Sequence, residues 1–129
     1  MATEILVNDG GAPARIIPFT AGSAITAGYP LVMGADAEVD TIASADNVHP
    51  LGVAFTTVDS GSTASVITGH GIVLNMYCSG TIGRGGDLAT LADGNLGPGS
   101  SSAVGVAIYI DPSGAHSGAA TLQRVLWFG

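Results

Sequence analysis

A chain of 129 residues, 47% of them hydrophobic, is long enough for one domain with a modest core. Ten acids stand against three arginines and no lysine, for a formal net charge of −7. That balance argues against nucleic acid and anionic membranes as partners, since both are held through Lys and Arg. The missing lysine also excludes lipoyl or biotinyl attachment and Schiff-base chemistry.

Cys78 is the single cysteine, so no internal disulfide and no thiolate metal cluster can form. No apolar run reaches the roughly 18 residues of a membrane span. Met1-Ala2-Thr3-Glu4 shows no basic region ahead of an apolar one, so no signal peptide is expected and the default compartment is the cytoplasm of the producing cell. Only 10% of residues are charged, against the usual quarter or so. Such a surface fits a protein partly covered by something else, or a bland Ser/Thr-rich β domain.

Residues 1–20 differ from the rest. Ile5-Leu6-Val7 is a short apolar cluster, cut off by the breaker Asn8-Asp9-Gly10-Gly11. Ala12-Pro13-Ala14-Arg15 and Ile16-Ile17-Pro18-Phe19 follow, and each proline removes a ladder donor, which excludes a central strand. The span reads as an extended N-terminal arm with two apolar patches, or as an edge strand folded onto its own domain. A single β domain is expected over 21–129.

Residues 25–42 read as strand, turn, strand, with Leu31-Val32-Met33 as the first apolar run. In an extended segment Asp36, Glu38 and Asp40 would share one face. The next strand is expected over 51–58, then a turn at Asp59-Ser60-Gly61-Ser62 and a strand over 65–68. Residues 72–78 are the longest apolar candidate. Their first half does not alternate, which predicts burial on both faces. Residues 88–92 stay open between a strand and a helical turn, and Asp93-Gly94-Asn95 marks a hairpin turn. Strands over 103–110 and 121–128 complete the chain. Short strands at intervals of roughly 8–12 residues, with no capped helical period, read as mainly β.

One stretch occurs twice. Leu51-Gly52-Val53-Ala54-Phe55 returns as Val104-Gly105-Val106-Ala107-Ile108, and each copy passes through a Ser/Gly turn into a second apolar strand. Each is preceded by a glycine-interrupted segment, beginning at Ile25 and at Ile82. Two diverged copies of one β unit are expected over about 25–70 and 82–126.

Motifs that carry chemistry are scarce in the chain. A Gly-x-Ser-x-Gly elbow is missing. Gly83-Arg84-Gly85-Gly86-Asp87 fits neither phosphate-loop pattern and reads as a tight β turn. Asp36, Glu38 and Asp40 are the best metal candidates, but acids along an edge strand more often discourage edge pairing. His49, His70 and His116 are not spaced as zinc ligands, and Cys78 reads as a small buried hydrophobe. Arg15, Arg84 and Arg124 are the only cations and are candidates for ion pairs either within the domain or across an interface, with Arg84 the interface candidate. Trp127 is either a core residue or an interface anchor. No catalytic residue, metal or cofactor is assigned, and the chain is read as a non-enzyme.

Several pieces, in order, resemble tailed-phage capsid decoration proteins: Pro30-Leu31-Val32-Met33, His49-Pro50-Leu51-Gly52-Val53-Ala54, Ser62-Thr63-Ala64-Ser65-Val66-Ile67 and Gly69-His70-Gly71-Ile72-Val73. The stretch from Ile82 to Val125 is similar to the continuation seen in the phage capsid cement family. The resemblance covers about residues 16–126 and includes lambda-like head-decoration proteins. It implies a compact β-clip or β-tulip type barrel. It also implies homotrimers on the outside of a phage head, at three-fold or quasi-three-fold positions. Family members carry an N-terminal arm that pairs with the major capsid protein, a role that falls here to Ile5, Leu6, Val7, Arg15, Ile16 and Ile17. The expected function is then a capsid cement protein of the virion surface. The alternative is a displayed receptor- or glycan-binding module, with Tyr29, Tyr77, Tyr109 and Trp127 as its candidate aromatic platform.

Overall fold

The computed structural model describes residues 5–8, 14–34, 37–42, 50–91, 93–98 and 105–128. Among them are eleven strands and no α-helix. The first six are β1 (Leu6–Asn8), β2 (Arg15–Thr20), β3 (Pro30–Met33), β4 (Val39–Thr41), β5 (Gly52–Ala54) and β6 (Thr63–Thr68). The remainder are β7 (Ile72–Cys78), β8 (Asp87–Thr90), β9 (Leu96–Gly97), β10 (Ala107–Tyr109) and β11 (Thr121–Trp127). The ambiguous segment after Gly86 is therefore a strand, and the Gly94 turn joins it to β9 with a left-handed φ of 91°.

Two sheets follow one path. The first runs β2-β6-β5-β3-β4; the second runs β7-β11-β10-β8-β9, with β1 added outside β7. A parallel pairing of Cys78 with Leu96 closes the second sheet into a five-stranded mixed barrel plus one extra strand. At the corresponding place in the first sheet, a single parallel bridge joins Ala21 to Val39.

Hydrogen bonds outside the ladders repeat as well. The Gly28 N–H donates to the Ala54 carbonyl at 2.9 Å, as the Gly85 N–H does to Tyr109 at 2.8 Å. The Leu51 N–H donates to Leu31 at 2.7 Å, as Val106 does to Leu88 at 2.8 Å. Leu51 thus corresponds to Val106, not to Val104 as the shared Gly-Val-Ala letters imply. The correspondence also begins at β2 and β7, earlier than Ile25 and Ile82. Gly52 shows why the letters mislead. It is buried, and a Cβ there would overlap the Ile67 carbonyl and lie 2.7 Å from Val66 Cγ1. Gly105 is exposed, with Asp87 Cβ its nearest neighbour at 3.9 Å. The same letters answer to different needs.

Packing follows strand alternation. On β6, neighbouring Val66 and Ile67 point to opposite faces of the first sheet. Ile67 and Val53 join the larger core with Leu74, Met76, Tyr109 and Trp127. Val66 and Ala54 join a smaller core with Ala21, Ile25, Leu31 and Val39. The first sheet is therefore covered on both sides. β7 buries Ile72, Leu74, Met76 and Cys78 on one face; on the other Asn75 is buried while Val73 and Tyr77 are half-buried, so the expected burial on both faces is met only in part. Trp127 is 1% exposed between Ile72 and Ala107. The ring is thus part of the larger core, in line with the first of its two readings.

Candidate functional site

The two N-terminal apolar patches lie on the outer edges of the two sheets. On β1, Leu6 stands opposite Leu74, and Asn75 donates its N–H to the Ile5 carbonyl at 2.8 Å. Ile5 is buried; Leu6 and Val7 are half-buried. β2 pairs along its whole length with β6, from Arg15 opposite Thr68 to Thr20 opposite Thr63. Leu6 and Val7 on β1, with Ile5 just ahead of it, and Arg15, Ile16 and Ile17 on β2 therefore lie in edge segments folded onto this chain's own body, the second of the two readings open in the sequence.

The two edges differ. β7 carries β1 outside it, whereas nothing among the described residues pairs with the outer side of β2. Ile16 is 45% exposed and Ile17 37%, with Arg15 exposed beside them. Pro18 stands where β7 has Asn75, so its missing N–H falls on the open side and costs the ladder nothing. Phe55 and Ile110 expose further apolar surface at the ends of β5 and β10, as does Met33 at the end of β3.

Arg84 is exposed but fixed. Its Nε donates to the Asp111 carbonyl at 3.3 Å and its Nη2 to the Pro112 carbonyl at 2.8 Å, bracing the turn after β10. That turn is held from within too. Asp111 accepts bonds from the Ser113 N–H and hydroxyl at Oδ1, and from the Arg124 N–H at Oδ2, 2.8 Å away. Burial opposes the charge on Asp111. The Ser113 hydroxyl, the two N–H donors and the nearby Arg124 outweigh it and lower the carboxyl's pKa. A groove of about 460 Å³ lies over this turn and β11, lined by Asn75, Thr121, Leu122 and Arg124 among others. The Arg124 Nε is buried there with no hydrogen-bond partner among the described residues.

The other candidates are dispersed. Burial, and next to it the negative Asp111, push the Cys78 thiol up to about 12. His70 Nδ1 lies 2.6 Å from the Phe128 carbonyl; His116 bridges the Gly80 carbonyl and the Thr121 hydroxyl. Asp40 lies in β4 with its carboxylate against Gly22 and Gly34, where a Cβ would clash with it. Ala37 has a φ of 60°, so the extended segment begins only after it, and of the expected acidic face only Glu38 and Asp40 fall within the described residues. Asp36 and His49 lie outside the described residues. Tyr109 and Trp127 are buried, and Tyr29 stacks on Tyr77 with ring centroids 4.8 Å apart. Such an arrangement leaves these four rings without a shared exposed platform.

Fold and surface together define a mainly β barrel protein built from two like units, with one sheet edge bare and apolar. A phage head protein has the same fold. The N base of the head fiber gp8.5 in bacteriophage phi29 matches with a TM-score of 0.68 at 19% identity, over 89% of this chain and 94% of that one. No protein-family model and no curated protein sequence matches the chain.

Proposed function

We propose that this chain is a structural, non-enzymatic protein of a phage head. In this reading it binds the outer face of the shell at joints between major capsid protein subunits and holds them together. The observation that carries it is the fold likeness, nearly end to end, to a protein described as the base of a head fiber. The exposed isoleucines of β2 support it, because a bare edge offers main-chain bonds and apolar contact without catalytic side chains. Burying such surface across a joint makes opening costly, at about 25 cal/mol per Å² of apolar area. Assembly as a homotrimer on the shell belongs to the same proposal, since linked copies gain from high local concentration.

The test is co-sedimentation with mature heads lacking the protein, followed by heating. Binding with a raised temperature of genome release is expected. Failure to bind at saturating concentration contradicts the reading.

A further inference from the structure

The two units of the chain are joined head to tail, and the same joint is left open at both ends of the molecule. Inside the chain, the Gly28 turn of the first unit sits on the outer edge of β7 in the second. Tyr77 donates its N–H to the Gly28 carbonyl at 3.0 Å. A Cβ on Gly28 would lie 3.0 Å from Leu122 Cδ2 and 3.1 Å from Tyr77 Cδ2, so turn and edge are in close contact.

The counterparts of these groups are known from the repeat. Gly85 corresponds to Gly28: both have left-handed φ, 77° and 92°, and both donate to the matching strand carbonyl. A Cβ on Gly85 would meet nothing within 4 Å. Thr20 corresponds to Tyr77, because Ala21 and Cys78 make the equivalent parallel pairings. Ala21 directs its N–H toward Ser62, so by strand alternation the Thr20 N–H faces the open edge. One unit therefore presents an uncovered turn, and the other an uncovered edge of the kind that turn fits.

We propose that copies of this chain associate head to tail, the Gly85 turn of one seating on the Thr20 end of the β2 edge of the next. A heterologous joint of this kind closes into a ring or grows as an open chain, depending on its rotation.

Three further observations select a second copy as the occupant. The joint continues an interface already present in the chain. The prolyl nitrogen of Pro18 removes the donor that β1 uses on β7 at Asn75, whereas Thr20 keeps the donor that the turn uses. The edge is thus suited to the turn rather than to a second β1-like strand. Charge is complementary as well. Arg84 is carried on the exposed turn of an acidic chain, and Asp59 is exposed in the turn that flanks Thr20. That turn is tied to the end of β2 by the Gly61 N–H donating to Ala21 at 2.7 Å. Gly86 and Thr20 replace the stacked Tyr29 and Tyr77, so the joint between copies is weaker than the one within a copy and forms reversibly.

The inference does not rest on shell binding, and its test needs no capsid. Sedimentation velocity of the full chain over a concentration series reads association directly. Gly83 has open space around it and a φ outside the left-handed region, so Gly83→Glu is tolerated by the fold. It places bulk and negative charge on the exposed turn two residues before Gly85, and it weakens association by about tenfold or more, equivalent to about 1.4 kcal/mol. Mixing Thr20→Cys chains with Gly83→Cys chains under oxidation yields disulfide-linked heterodimers ahead of either homodimer. A chain that stays monomeric at all concentrations overturns the proposal. Preferential Thr20→Cys homodimers also overturn it, and indicate edge-to-edge pairing of two β2 strands instead.

Discussion

Phe55 and Ile110 hold the same position in the two halves of the molecule. The Phe55 N–H donates to the Ser65 carbonyl at 2.9 Å, and the Ile110 N–H to the Arg124 carbonyl at 3.1 Å. Each side chain leaves its strand at 38% and 36% exposure, respectively. A repeated unit has thus kept an apolar group facing solvent twice, where the fold does not need it. Replacing both by Ser is expected to change unfolding free energy by no more than about 0.5 kcal/mol each. The same double variant is expected to bind phage heads more weakly. Urea melts and head co-sedimentation check the two halves of that expectation separately.

The displacement between the sequence repeat and the structural repeat has its own test. Gly52→Ala pushes a methyl into the Ile67 carbonyl and Val66, and should destabilise the chain by about 1–3 kcal/mol. Gly105→Ala, at the matching letter of the second copy, meets open space and should stay within about 0.5 kcal/mol of the parent. Equal losses at the two positions, measured by chemical denaturation, would show that Leu51 pairs with Val104 after all.

Trp127 fills the larger core from the last strand. Trp127→Ala should cost about 3–5 kcal/mol, read from the denaturation midpoint. A variant as stable as the parent would mean that the ring is not a core element.

A buried thiol and a half-buried carboxylate set opposite limits on pH stability. Burial, then the negative Asp111, raise the Cys78 thiol from 9.0 to about 12. The folded chain keeps this proton where the unfolded chain loses it. The stabilisation is complete below pH 9.0 and is lost as pH rises toward about 12. The thiol should therefore resist an aromatic disulfide reagent at pH 8 until urea is added. Asp111 acts at the acid end. Burial works against its charge, but the Ser113 and Arg124 bonds prevail and lower its pKa from 3.8. Its contribution is present above pH 3.8 and is lost as pH falls through the lowered value. Asp111→Asn should flatten the acid side of the stability profile; an unchanged profile argues against this role.

Much of the fold was legible because strand periodicity is local. Residues 72–78 read as a doubly buried strand, and β7 occupies those same residues. The twofold β unit was visible through its Gly-Val-Ala letters. Its register was not, since that depends on which carbonyl each amide meets across the sheet, a non-local fact. The bare edge was legible only in part. Two prolines and apolar pairs marked residues 1–20 as unusual, but a sequence does not say whether an edge strand lies on its own body or on a partner. Arg84 shows the same limit. Its charge was plain in the sequence, but the two main-chain carbonyls that its guanidinium holds belong to a turn brought close only by folding. The correspondence of Gly85 with Gly28 emerged only from repeated hydrogen bonds.

Attachment to the shell is the claim on which the functional reading depends, and cryo-electron microscopy of mature heads incubated with the full chain tests it most directly. The predicted result is ordered density for the two-unit barrel on the outer surface, over joints between major capsid protein subunits, with the β2 side in contact with neighbouring protein. Bare joints at saturating concentration, or density only on the inner surface, would contradict it.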